Sequence, residues 1–399
     1  MKSRSPALPP ETFNSRFGDL SLEEFIQSRW RKRPHLVRQF LPDFVSPVDR
    51  DDLFELAGRD DSDSRVVIER GGAYPWEALF GPFEREEFDE LPETHWTLLV
   101  HEVDRLVPAV TRLLDAFPFL PNWRFDDVMV SYAADGGGVG AHIDRYDVFL
   151  LQGEGKRRWR IQEDPIAEER LVPDLDVRIL ADFRPSNEWV LEPGDLLYLP
   201  PRIAHEGVAV GACSTYSIGC RAPSAQDLLA AYLEELAAEE RDDEPPADAG
   251  DLGRDPAGKI QPSVKAFARA VLSATPAREA SFERWLGRYL SRPGRGHAPP
   301  ESESPPDAAQ IRAHLSIGGV VRSAAPSQLL YDTDAEAVRI YAGGREFALP
   351  IRYENQAADL TGRAGLRLSD SASADAMPEL IDVLVECAAS GHVRLEDVD

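Results

Sequence analysis

Apolar and polar positions change their period three times along the chain. Between residues 127 and 221 they run in short alternating or apolar stretches cut by Gly, Pro and Asp. This predicts strands at Asp127–Ala133, Ala141–Leu151, Arg157–Gln162, Trp189–Leu191, Leu196–Leu199, Ala204–Val210 and Thr215–Arg221. Short strands at such close spacing argue for a barrel or sandwich. Upstream, Ser21 and Glu24 stand at capping-box spacing, so a helix is expected over Ser21–Arg31. Downstream the apolar positions return at helical spacing in Ala225–Ala238, in Ser263–Ala274 (Val264, Phe267, Val271) and in Arg278–Leu290 (Phe282, Leu286, Leu290). The final stretch predicts a helix over Ala308–Leu315, a hairpin across Val338–Leu349 turning at Gly343–Gly344, and a helix that ends near Ser390 with Gly391 as its stop. That order fits a winged-helix-like module.

Charge and proline refine the divisions. Ten acidic and two basic residues lie between Glu234 and Asp255, with Pro245 and Pro246 among them, which predicts a solvated loop. Pro293–Asp307 is a second break, rich in Pro, Gly, Ser and Glu. The expected domains are a mainly β unit over 1–222 with an N-terminal helical extension, a helical unit over 223–295, and an α+β module over 305–399. Against 44 Lys and Arg stand 70 Asp and Glu, a net charge of −26 that repels phosphate backbones and anionic lipid. Direct DNA binding and membrane association are therefore not expected. Cys213, Cys220 and Cys387 are too few for a disulfide framework, and Cys213 and Cys220 are expected to pack as small apolar groups; with no continuous apolar run of 18 residues, a cytoplasmic location follows.

One segment carries chemistry. On a strand, His142, Asp144 and Tyr146 share a face while Ile143 and Arg145 take the other. A lone His-x-acid pair is weak, because composition supplies one or two by chance. A third donor strengthens it: His205 follows Glu192-Pro-Gly-Asp-Leu-Leu-Tyr-Leu-Pro-Pro201 at the start of a predicted strand. Two imidazoles and one carboxylate leave roughly three of six positions open on Fe(II), enough for a bidentate oxo-acid and dioxygen. Zinc with a water is also compatible with three such ligands. Arg157, on the next strand, offers a guanidinium that can grip a distal carboxylate in bidentate fashion, which an oxo-diacid needs and a zinc hydrolase does not. The glycines at 136–138 and 140 open no helix, so they read as a flexible lip over the metal site rather than a phosphate loop.

Together these residues resemble the JmjC branch of the iron- and 2-oxoglutarate-dependent oxygenases. Within that branch, Trp30-x-Lys32-Arg33-Pro34, Gly81-Pro82-Phe83, Gly136-Gly-Gly-Val-Gly140, Tyr146-Asp-Val-Phe149, Arg158-Trp159-Arg160 and His205-Glu206-Gly207 look like the bacterial ribosomal oxygenases, of the type acting on an arginine of ribosomal protein sixteen of the large subunit. The resemblance implies a double-stranded β-helix (JmjC-type jelly roll), then a helical dimerisation unit, then a winged-helix-like C-terminal domain that does not bind DNA. It implies that His142, Asp144 and His205 ligate Fe(II), and that Arg157 anchors the C5 carboxylate of 2-oxoglutarate. Ser131 and Ser217 become candidates for cosubstrate hydrogen bonds, and Asp127 with Tyr146 for holding the substrate guanidinium. The expected partners are dioxygen, a basic ribosomal protein and a second copy of the chain. Three alternatives stay open: a non-catalytic cupin serving ribosome assembly, a zinc isomerase or hydrolase, and a histidine-hydroxylating ribosomal oxygenase.

Overall fold

The computed structural model describes residues 16–71, 75–166, 168–221, 223–238, 265, 279–293, 302, 304–325, 328–368 and 373–396. A two-residue hairpin, β1 (Arg16–Phe17) and β2 (Leu20–Ser21), leads into a helix over Leu22–Ser28. Ser21 caps that helix: its hydroxyl accepts from the Glu24 N–H, and the Glu24 carboxylate accepts from the Ser21 N–H. The predicted capping box is present.

The strands that follow are β3 (His35–Val37), β4 (Ser64–Glu69), β5 (Trp76–Phe80), β6 (Trp96–Val100), β7 (Phe125–Ala133), β8 (His142–Ile143), β9 (Asp147–Gln152), β10 (Lys156–Gln162), β11 (Asn187–Leu191), β12 (Leu196–Leu199), β13 (Ala204–Val210) and β14 (Cys213–Cys220). They form an eight-stranded sheet in the order β3-β12-β9-β14-β7-β6-β4-β5 and a four-stranded sheet in the order β11-β10-β13-β8, with every pairing antiparallel.

Both faces of the larger sheet are covered. Phe149, Leu151, Tyr216, Ile218, Val128 and Val130 pack outward against Phe25, Leu53, Val103, Leu113 and Phe117 of the N-terminal layer. Val148, Leu150, Leu197 and Leu199 pack inward against Trp159, Ile161 and Leu191 of the smaller sheet. Double coverage explains why β9 and β12 read as unbroken apolar runs and why all their residues are buried.

Periodicity missed β3 to β6; in β6, Trp96–Val100, every residue is buried and the run does not alternate. It also fused two strands. The expected strand Ala141–Leu151 is β8 and β9, which lie in different sheets, and the chain crosses between them at residues 144–146. The cause lies in Asp147, 1% exposed, which points outward to accept from Tyr198 Oη at 2.6 Å and Arg124 Nη2 at 3.1 Å. That buried anion pins the start of β9 to the outer layer.

Beyond β14 the helices Ala225–Ala238 and Glu279–Leu290 match expectation and meet through Tyr232, Phe282 and the buried Trp285. The helix expected over Ser263–Ala274 and the two linkers fall largely outside the described residues. The C-terminal module has a helix over Ala308–Ser316, β15 (Val320–Ser323), β16 (Leu329–Thr333), β17 (Ala337–Ala342), β18 (Arg345–Pro350), helices over Glu354–Thr361 and Pro378–Ala389, and β19 (Val393–Glu396). The hairpin β17–β18 turns at Gly343 and Gly344, both at positive φ, as its sequence predicts. Arg363 ties this module to the first: its guanidinium donates to the carbonyls of Leu114 and Leu120 and lies 5.0 Å from the Phe125 ring centre.

Candidate metal centre

Two strands face each other to build the centre. β8 pairs with β13 so that His142 stands directly opposite His205, and their ring centroids are 4.3 Å apart. Asp144 lies past the end of β8, in the crossing between sheets, yet its carboxylate reaches to 3.6 Å from His205 Nε2. One donor atom from each of the three lies within 4.8 Å of the others, the spread that one shared ion requires. Asp144 is aimed by its backbone: its carbonyl accepts from the Arg202 N–H at 2.7 Å, and Arg202 takes the left-handed conformation, φ 69°.

The two imidazoles are oriented in the same way. His142 Nδ1 donates to the Gly140 carbonyl and His205 Nδ1 to the Ile203 carbonyl, each at 2.9 Å and each two residues back in the chain, just before the strand begins. A proton fixed on Nδ1 leaves the Nε2 lone pair facing the centre. Burial, followed by the neighbouring His142, pushes the His205 pKa down to about 4. At neutral pH His205 is therefore the uncharged donor that a metal needs.

Arg157 occupies the inner face of β10. It is 4% exposed, opposite Ala209 of β13, while its neighbours Arg158 and Arg160 point away, Arg160 pairing with Glu206 across the strands. The basic run thus divides: two guanidiniums are surface groups and one is interior. Among the described residues Arg157 Nε and Nη2 have no hydrogen-bond acceptor. A buried guanidinium without an acceptor is costly, and a carboxylate from outside the chain resolves it. Thr97 Oγ1 and Trp159 Nε1 are also buried without hydrogen bonds, and both face inward. Donors of this kind fit an oxo-diacid, and the His–Asp–His set fits a ferrous ion with open positions.

Ser131 and Ser217 sit on inward positions of β7 and β14; the Ser131 hydroxyl donates to the Thr215 carbonyl at 3.4 Å. Asp127 shares that face of β7 and is buried. His101 Nδ1 donates to Asp127 Oδ2 at 3.1 Å, and the Glu102 N–H donates to the same oxygen at 3.3 Å. Tyr146 is not on one continuous strand with His142, contrary to expectation. It lies in the crossing, 38% exposed, at the mouth.

The JmjC-domain family matches residues 112–228 and the ROXA-like winged helix matches residues 271–394. Over 375 residues, 94% of this chain and 97% of the relative, the sequence is 32% identical to the ribosomal protein uL16 3-hydroxylase of Escherichia coli. The chain belongs to the JmjC ribosomal oxygenases. The solved ribosomal oxygenase YcfD of E. coli superposes with a TM-score of 0.77 at 29% identity, covering 94% of this chain and 98% of that one. YcfD has also been solved with cobalt and 2-oxoglutarate, at a TM-score of 0.75. In this ribosomal oxygenase the triad and the buried Arg157 fit the corresponding pair, Fe(II) and 2-oxoglutarate.

Two neighbours of Asp127 were not legible in the sequence, His101 and Gly219. His101 follows a strand that periodicity does not reveal, and nothing local links it to Asp127, 26 residues on. The glycine run at 136–140 is a packed strap, not a loose lip: a methyl on Gly137 would stand 2.2 Å from the Trp96 carbonyl oxygen, and one on Gly138 2.7 Å from that of Gly207.

Proposed function

We propose that this chain is an Fe(II)- and 2-oxoglutarate-dependent oxygenase that hydroxylates the β-carbon of an arginine in large-subunit ribosomal protein uL16. One observation carries the reading: a three-donor metal set and an interior guanidinium without an acceptor stand on neighbouring strands of the smaller sheet. Iron bound there supplies the activation of dioxygen coupled to oxidative decarboxylation of the oxo-acid to succinate, with one oxygen atom passing to the substrate carbon.

The chain's own residues position the reactants. His142, Asp144 and His205 hold the ion, Arg157 anchors the C5 carboxylate, and Ser131 and Ser217 donate to the cosubstrate. Asp127 accepts from the substrate guanidinium while the Tyr146 ring lies against it. Val148, Leu150, Leu197, Leu199, Trp159 and Ile161 form the apolar wall that keeps water from the reacting groups.

The domain limits are 1–222, 223–295 and 305–399. The middle unit serves a homodimer: the helix Ala225–Ala238 buries none of its residues and exposes Leu229 and Leu233, one turn apart. The winged module does not contact DNA, given a net charge of −26, and the same charge draws a cationic ribosomal protein. No helix among the described residues is long and apolar enough to cross a membrane, and a ribosomal substrate supports a cytoplasmic location.

The test is incubation with Fe(II), 2-oxoglutarate, dioxygen and a uL16 peptide. The expected products are succinate and a peptide heavier by one oxygen on its arginine. Oxygen on histidine would move the chain to the histidine-hydroxylating reading. No succinate from folded, iron-loaded protein would favour a binding module or a zinc enzyme.

A further inference from the structure

Away from the metal centre, a cleft of about 330 Å³ opens where all three units meet. Its walls come from the short turn Asn122–Arg124 ahead of β7, from the helix Glu279–Leu290 and from β16 of the winged module. Glu283, Leu286, Gly287 and Leu290 line it at helical spacing, so the helix presents one face to it. Gly287 brings that helix close to the sheet: a methyl there would stand 2.3 Å from Tyr341 Cζ. Asn122 Nδ2 donates to the Thr361 carbonyl at 2.7 Å and fixes the opposite wall.

Leu329, Leu330, Tyr331 and Asp332 of β16 all touch the cleft. Neighbouring side chains of a strand point to opposite faces, so a hollow that touches four in a row runs along the strand's edge. That edge is unpaired. β16 is the outermost strand of the sheet β16-β17-β18, and among the described residues no backbone hydrogen bond reaches Leu329–Asp332 from outside that sheet. Such an edge is a template for an extended segment of another chain. The lining is largely apolar, and its two charged side chains are both carboxylates, Glu283 and Asp332. Both are exposed, and among the described residues neither forms an ion pair. Leu290 also lines an adjoining cleft of about 340 Å³ that reaches Asp126, next to Asp127. Trp123, on the wall of the first cleft, is four residues from Asp127, at most roughly 14 Å along the chain.

We propose that the free edge of β16 and the cleft beside it dock an extended cationic stretch of the ribosomal protein substrate, outside the stretch that carries the hydroxylated residue. Main-chain groups pair along Leu329–Asp332, an apolar side chain enters between Trp123 and Leu286, and flanking Lys or Arg meet Glu283 and Asp332. The choice of occupant rests on reading uL16 as the substrate. A net charge of −26 attracts a basic protein at long range, and the cleft gives that attraction a fixed geometry. Two attachments on one substrate raise the effective concentration of its target residue at the metal centre.

The experiment compares whole uL16 with a short uL16 peptide centred on the arginine, both turned over by the full-length, iron-loaded protein with 2-oxoglutarate. The variants are the double charge reversal, Glu283→Lys with Asp332→Lys, and Trp123→Ala. Each is expected to raise KM for whole uL16 relative to KM for the peptide, the reversal roughly 10-fold, as two exposed ion pairs turned repulsive would. In roughly 1 M salt, where the screening length is about 3 Å, parent and reversal should converge. Benzoylphenylalanine placed at Tyr331, which is 41% exposed, should cross-link on irradiation to a basic stretch of uL16 outside the peptide. Unchanged KM for whole uL16 in the variants, or equal losses on protein and peptide, overturns the docking site. A probe at Tyr331 that captures no uL16 does so too, and one that captures a second copy of this chain makes the cleft an interface between protomers instead. Both carboxylates are exposed, so the reversal decides the matter even where Trp123→Ala does not fold. If the parent hydroxylates the peptide and the variants match it on whole uL16, the docking site alone falls. If the parent hydroxylates neither, the uL16 reading falls with it.

Discussion

Two groups of residues between the sheets are made in different ways. At the triad, two imidazoles face each other across one antiparallel pair, and each is aimed by a carbonyl two residues back, just before its own strand. At Asp127, the proposed substrate end, the carboxylate is aimed by a side chain 26 residues earlier, just past β6, and by an amide in a left-handed turn. The first design is local and the second is not. Local orientation can be read in a short motif; orientation borrowed across the fold cannot.

The largest expected effect falls on the metal end. His142→Ala or Asp144→Ala should abolish hydroxylation and lower bound iron while the melting temperature moves little, because neither side chain belongs to the apolar core. Retained turnover in either variant would break the ligand assignment. Next comes Arg157→Ala, expected to raise the 2-oxoglutarate concentration for half-saturation roughly 10- to 100-fold, with a smaller effect on kcat at saturation. Arg157→Lys should lie between, since an ammonium replaces a fork by a point charge. Unchanged saturation would remove Arg157 from the anchor.

A smaller effect sharpens the substrate end. Asp104 accepts from the Val128 N–H at 2.9 Å, and burial, followed by the charges of Asp127 and Glu102, pushes its carboxyl up to about 7. Unfolded, the group ionises near 3.8. Between those values the folded chain holds the extra proton, so this group's contribution to stability falls as pH rises from about 4 to 7. Asp104→Asn keeps the acceptor and removes the charge. It should be more stable than the parent by about 1–3 kcal/mol at pH 8, with little difference near pH 4, in denaturant melts at each pH. A gap that does not widen with pH would contradict the crowded acidic cluster behind Asp127. The weakest effect is ionic: with a net charge of −26, the peptide on-rate should fall as salt rises, measured by stopped flow.

The sequence reading was reliable wherever a feature depended on near neighbours. The Ser21 capping box, the Gly343–Gly344 hairpin and the helix Ala225–Ala238 appear at their expected places. His205 was legible as a third donor beside His142 and Asp144 from its place at the start of a strand behind Pro200 and Pro201, and the three do cluster. The crossing at residues 144–146 was not, because it depends on Asp147 finding Arg124 and Tyr198 in the outer layer. Strand alternation gave the right partner for His142 in Asp144, although the carboxylate arrives from a bend rather than from strand geometry. Trp96–Val100, and with it His101, stayed hidden because a strand buried on both faces has no period of two and, unlike Leu196–Leu199 between Gly194 and Pro200, this one has no glycine or proline beside it to mark its ends.

The central claim, that His142, Asp144 and His205 share one ferrous ion beside Arg157, is tested most directly by anaerobic titration with Fe(II) and 2-oxoglutarate. The visible absorption of an iron-chelated keto acid reports both ligands at once. The parent chain should develop the band at one equivalent of each, Asp144→Ala and His205→Ala should not, and Arg157→Ala should develop it only at higher 2-oxoglutarate. A parent chain without the band, or triad variants that retain it unchanged, would contradict the account.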